Sequence, residues 1–236
     1  MDRAPQRLIP GPGSGAVPRW WRLFLFSLFA AAVGWRLVVF DRLASGPLLG
    51  SLSSDGQAYW EWASRIRSGQ WVGGSPFFLG PLYPFWLALV RSLIGDSIPA
   101  ILLVQCAFGS AAVVLVTDIV RRLASTRAAV IVGITLAGYS MLVLFDLLIL
   151  MESLVFFLGA LWLWCCVRSP RSRWLPVAVG LLIGLMSLGR PTGLILLVPY
   201  AFLVGGDRPR VRGLLALAQA VAVVALACRC SCITVV

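Results

Sequence analysis

The sequence predicts an all-α fold, a polytopic transmembrane helical bundle. Composition and tract length carry this. Of the 236 residues, 60% are hydrophobic and only 12% charged, with a mean hydropathy of +0.93; soluble domains run at roughly 45–50% and 25%. Several apolar tracts approach the ~20 residues that a spanning helix needs. They lack the apolar–polar alternation of a transmembrane barrel.

Residues 1–22 are rich in Pro, Gly and Arg and read as a flexible cytoplasmic tail. Leu23 to Phe40 is the first apolar tract. No small-residue cleavage site follows it, so an uncleaved helix is expected rather than a signal peptide. It opens a transmembrane domain over residues 23–228, which leaves 229–236 as a Cys-rich tail.

Residues 41–97 are richer in Gly, Ser, Pro and acids, and they read as a long first external loop. Within it, Gly56 to Ser68 has helical periodicity, with Tyr59, Trp62, Ala63 and Ile66 on one face. Aromatic residues flanked by arginines suit a helix lying in the membrane interface. Gly80-Pro-Leu-Tyr-Pro84 then leads into Phe85 to Ile94, which is short for a span and contains Arg91. It is expected to be re-entrant or interfacial, because a crossing usually takes at least ~17 residues. Longer tracts follow at Ile98 to Val120, Ala128 to Phe145, Leu147 to Val167, Leu175 to Leu188, Gly193 to Val204 and Leu214 to Ala227. The total expected is about seven spans.

The net charge of +11 comes entirely from arginine, since Lys and His are absent. The arginines fall in short clusters between apolar tracts, at Arg3/Arg7/Arg19/Arg22, Arg121/Arg122/Arg127, Arg168/Arg171/Arg173 and Arg208/Arg210/Arg212. That spacing fits a positive-inside bias and not nucleic-acid binding. With the N-terminus cytoplasmic and 81–94 not crossing, all four clusters lie inside. Cys106 and Cys165-Cys166 lie in apolar tracts and read as small packing residues. Cys228-Arg-Cys-Ser-Cys232 has no His to complete an ordinary metal ligand set.

The same topology places Asp55, Asp146, Glu152 and Arg190 at the outer face. Glu152 is one of two glutamates and sits in Leu147-Leu-Ile-Leu-Met-Glu-Ser-Leu-Val-Phe-Phe-Leu158. A carboxylate in such a run is costly and marks function by default, whereas Asp146 reads as a helix-boundary residue. Asp55 fits a capping position ahead of the 56–68 helix. It also fits a general base or a metal ligand. Arg190, in Gly189-Arg-Pro-Thr-Gly193, sits in a turn. It suits either snorkelling to the interface or a fixed guanidinium for a phosphate or carboxylate.

Ser54-Asp-Gly-Gln-Ala-Tyr-Trp-Glu-Trp-Ala63, Gly69, Gly80-Pro-Leu-Tyr-Pro84 and Leu87-Ala-Leu89 come in an order that resembles the first external loop of GT-C membrane glycosyltransferases. The similarity is to the family 39-like group, with its protein O-mannosyltransferases and aminoarabinose transferases. It continues through Arg121-Arg-Leu123, Leu150-Met-Glu-Ser-Leu154 and Gly184-Leu-Met-Ser-Leu-Gly-Arg-Pro-Thr192, and covers about 20–205.

The resemblance implies a polyprenyl-phosphate-linked sugar as donor and a hydroxyl on a lipid, glycan or protein as acceptor. The place would be the outer face of the cell (inner) membrane. It implies Asp55 and Glu152 as the catalytic acids, and Arg190, Tyr59 and Tyr83 as substrate-binding residues. Asp55 and Glu152 are also candidate ligands for a divalent cation, Mg or Mn; some GT-C enzymes use one and others do not. Met151 stands where Thr or Ser is common. Relatives are usually longer, so the chain is expected to be C-terminally truncated. An inactive scaffold and a transporter using intramembrane carboxylates are the alternative readings.

Overall fold

A computed structural model describes residues 17–44, 54–71, 79–168 and 174–203. Arg3, Arg7, Arg171, Arg173, the last Arg cluster, the 214–227 tract and the Cys-rich tail lie outside the described residues. Within them the chain is helical: α1 Arg19–Ala44, α2 Ser54–Arg67, α3 Leu82–Ile94, α4 Ile98–Leu123, α5 Thr126–Gly138, α6 Ser140–Asp146, α7 Glu152–Arg168 and α8 Leu175–Gly189. A 3-10 turn, Pro191–Leu196, and α9, Leu197–Leu203, follow. Among the described residues, α1 and α4 are long and apolar enough to cross a bilayer, and the bent α5–α6 pair makes a third if counted as one span.

Polar ties fix the helix directions. Near the start of α1, Trp21 Nε1 donates to Asp118, late in α4, at 3.1 Å. Further along α1, Arg36 pairs with Asp146 at the end of α6, at 2.6 Å. So α1 runs against α4. Gln105, early in α4, donates to the Leu148 carbonyl just ahead of α7 at 2.6 Å, and Trp164, late in α7, donates to Asp118 at 3.1 Å. So α7 runs with α4. α8 returns, bringing Gly189 against Met151 and Val155 at the start of α7. The arginines Arg19, Arg22, Arg121, Arg122 and Arg168 therefore gather at one end of the bundle, with Glu152 at the other.

The apolar face expected of residues 56–68 packs inside the protein. α2 begins at Ser54, so Asp55 falls in its first turn. The expected apolar face is present, but Tyr59, Trp62 and Ala63 are buried, with Tyr59 and Ala63 in one core cluster beside Tyr83, Leu87 and Val90 of α3. α3 has 13 residues, about 20 Å of helix, against a hydrocarbon core of about 30 Å.

The α2–α3 unit is clamped by Arg91, itself buried. Its guanidinium donates to the Trp60 carbonyl and the Ser64 hydroxyl, each at 2.9 Å, and to Asp96 at 2.7 Å. It also lies 3.7 Å from the Trp60 ring centre, a cation–π contact. That hydrogen bond holds the exposed Asp96 carboxyl below its ordinary range, with Arg67 adding a second bond.

Two apolar tracts do not form the continuous helices expected of them. The 128–145 tract breaks after Gly138, where Tyr139 is extended, and α5 and α6 meet at 53°. Residues 147–151 are irregular, although their side chains Leu147, Ile149 and Met151 are buried. Gln105 makes this tolerable by donating to the carbonyls of Asp146 and Leu148, which have left the helical ladder.

Asp146 is not an exposed boundary residue. It does end a helix, yet it is buried and ion-paired to the fully buried Arg36. Gly109 of α4 makes room for it, because a Cβ at that position would overlap the Asp146 carboxylate.

Candidate functional site

Glu152 opens α7, the place where a helix dipole favours a carboxylate. Its Oε1 accepts from Arg190 Nη2 at 2.7 Å. The side chains are 30% and 57% exposed, so the pair is open to approach. Among the described residues, the buried Oε2 of Glu152 has no hydrogen-bond partner. An exposed ion pair is worth only about 0–1 kcal/mol. Its significance is therefore orientation rather than stability.

The backbone around Arg190 explains how the guanidinium is held. α8 stops at Gly189, Arg190 is extended at φ −139°, and Pro191 starts the 3-10 turn. Gly80, ahead of α3, presses its backbone on the Gly189 carbonyl, where any Cβ would overlap. The Gly80-Pro81 entry to α3 and the Gly189-Arg190 exit from α8 are thus one packed junction.

Tyr59 and Tyr83 form the floor beside it. Their rings meet edge to face at 4.8 Å, and the Tyr83 hydroxyl donates to Gln105. Asp55 is one turn before Tyr59 on the same face of α2. Burial pushes the Tyr59 hydroxyl up to about 12; the charges of Glu152 and Asp55 add to this and that of Arg190 opposes it. All three charges therefore lie within electrostatic range of one tyrosine. Tyr59 stays protonated and can donate a hydrogen bond but not serve as a base.

Asp55, Glu152, Arg190, Tyr59 and Tyr83 come together at one end of the bundle, drawn from α2, α3, α7 and the α8 exit. Asp146 is not part of the group, since its carboxylate is spent on Arg36. Of the tryptophans in and after α2, Trp62 is buried in the core and Trp60 lies under Arg91. Trp71 is 63% exposed and packs edge-on against Phe85.

As a metal site the group is thin. Among the described residues, no three Cys, Asp or Glu side chains are placed to hold an ion. Glu152 also gives one oxygen to Arg190. A hard divalent cation takes about six or more oxygen ligands, several from the protein when calcium-like and fewer when water or phosphate completes the set.

Gln105 is the contributor that sequence reasoning missed. It joins the Tyr83 hydroxyl to the carbonyls of Asp146 and Leu148, and so connects the tyrosine floor to the segment that delivers Glu152. An amide in the middle of the apolar Ile98 to Val120 tract was the available signal.

No curated protein and no solved structure matches the chain. The dolichyl-phosphate-mannose-protein mannosyltransferase family matches residues 76–233, more than half of the sequence. That span holds Tyr83, Gln105, Glu152 and Arg190, although not Asp55 or Tyr59. By that match, and with its helical, apolar architecture, the chain belongs to the dolichyl-phosphate-mannose-protein mannosyltransferase family, membrane glycosyltransferases of the GT-C superfamily.

Proposed function

We propose that this protein transfers a sugar from a polyprenyl-phosphate donor to an acceptor hydroxyl at the outer face of the cell membrane, with its N-terminus cytoplasmic. The observation that carries this is the open Glu152–Arg190 pair beside Asp55, Tyr59 and Tyr83. The gathering of Arg19, Arg22, Arg121, Arg122 and Arg168 at the opposite end supports the orientation.

In this reading the acceptor oxygen attacks the anomeric carbon while the bond from that carbon to the phosphate oxygen breaks. The acceptor proton passes to Asp55. The departing polyprenyl phosphate keeps the bonding electron pair, and Arg190 stabilises its charge. Glu152 Oε1 aims the guanidinium. Tyr59 and Tyr83, both buried, brace the site from below. No step requires a metal; if one binds, Asp55 and Glu152 are its ligands.

A transporter is the weaker reading. Asp146 is neutralised by Arg36, and Asp118 by Arg121 and Arg122. Neither is left to carry a proton or ion.

The test uses membranes holding the full chain and a donor labelled in its sugar. Glu152→Gln and Arg190→Gln are each expected to slow transfer by about 10²–10³-fold, the usual loss for a group that stabilises developing charge. Transfer at the wild-type rate in both variants would overturn the assignment.

A further inference from the structure

At the end of the bundle away from Glu152 there is a cavity of about 410 Å³ between α1, α4 and α7. Arg168 lies sixteen residues beyond Glu152 on α7, or about 24 Å along the helix. The cavity is therefore not part of the sugar-transfer site. Its walls are of two kinds. Val17, Leu25, Val114 and Leu115 make an apolar side, while Arg22, Trp21, Trp164, Arg168 and Asp118 make a polar end.

The charges at that end are unbalanced. Asp118 accepts from Trp21 and Trp164 and is ion-paired to Arg122 at 2.8 Å and Arg121 at 3.3 Å. Arg121 also lies over the Trp21 ring at 5.0 Å. Arg168 stacks on Trp164 at 4.7 Å. Among the described residues, neither Arg22 nor Arg168 has a carboxylate partner. Four arginines surround one aspartate, and the two that line the cavity are exposed. The neighbouring surface of α1 is built for lipid, with Leu23 and Phe26 66% and 71% exposed.

We propose that this cavity binds one anionic phospholipid of the leaflet opposite the sugar-transfer site. Its phosphate sits between Arg22 and Arg168, and the start of an acyl chain lies along Leu25, Val114 and Leu115. The two arginines suit a phosphate diester, which a guanidinium binds through paired hydrogen bonds. The apolar wall suits a ligand that arrives from the bilayer rather than from water. The tryptophans suit the interfacial depth at which a headgroup lies. Asp118 does not repel the ligand, because its charge is already matched within the protein.

The full chain is purified in detergent and titrated with phosphatidylglycerol or with phosphatidylcholine, and bound lipid is counted by native mass spectrometry. One phosphatidylglycerol is expected to be retained in preference to phosphatidylcholine. Arg22→Gln/Arg168→Gln is expected to weaken that retention about thirtyfold, at the usual worth of two arginines against an anionic lipid surface. Both residues are exposed, so the double variant keeps the fold. Leu115→Trp, which fills the apolar side, gives a second test and is expected to lower retention of the same lipid. Arg190→Gln, at the far end, is expected to leave it unchanged.

Equal retention of the two lipids, or full retention by the double variant, overturns the proposal. So does equal competition by inorganic phosphate, which would mark a free-anion site. So does preferential uptake of polyprenyl phosphate, which would make the cavity a donor site. Sugar transfer is not read in this experiment, so failure of the catalytic assignment leaves it intact.

Discussion

Replacing Arg36 by Met should destabilise the bundle from within. Arg36 is fully buried and Asp146 is 2% exposed. Their 2.6 Å ion pair joins α1 to the end of α6. Removing one partner of such a pair leaves an uncompensated charge and costs about 3–5 kcal/mol. For a chain of this size each kcal/mol moves the melting temperature by about 2–4 °C, so the expected drop is about 6–20 °C. Thermal unfolding of the purified protein in detergent, followed by loss of helical signal, measures it. Arg36→Met/Asp146→Leu removes both charges, and is expected to regain most of the loss because apolar replacement of a buried pair is often neutral. A single Arg36→Met variant as stable as wild type would refute the reasoning, since Asp146 would then have to be neutral or otherwise solvated.

Gly109→Ala is expected to destabilise by about 1–3 kcal/mol, the usual cost of overpacking, because its Cβ overlaps the Asp146 carboxylate; the same melting assay reads it, and an unchanged melting temperature would contradict that packing. Tyr59 gives a pH dependence of definite sign. Its folded-state value is raised from 10.0 to about 12, so above pH 10 the unfolded chain loses this proton while the folded chain keeps it, and stability falls as pH rises through that window. Tyr59→Phe should flatten the alkaline fall, and an identical alkaline profile would contradict the burial argument.

Much of the fold was legible because membrane helices announce themselves by length and apolarity. The helical face of α2 and the shortness of α3 follow from local pattern. Pairing does not. Arg36 and Asp146 are 110 residues apart, and nothing local says that they meet. The cost of a charge inside the Leu23 to Phe40 tract marks Arg36 as needing a partner, but not which one. Asp118 is similar, since it takes partners from α1, α4 and α7.

The irregular 147–151 segment was hidden for a related reason. Its residues are as apolar as a helix interior, and what releases them from helix is the amide of Gln105 on another helix. In the candidate site, residue types pointed to Asp55, Glu152 and Arg190. Their shared end and the role of the Gly80–Gly189 junction depend on three-dimensional packing.

The most direct test of the central claim is sugar transfer by Asp55→Asn. The full chain is reconstituted with a labelled polyprenyl-phosphate sugar, and both donor binding and release of polyprenyl phosphate are followed. Loss of the base predicts release slowed by about 10²–10⁴-fold with donor binding preserved, because Arg190 and Glu152 remain. Release at the wild-type rate would contradict the account.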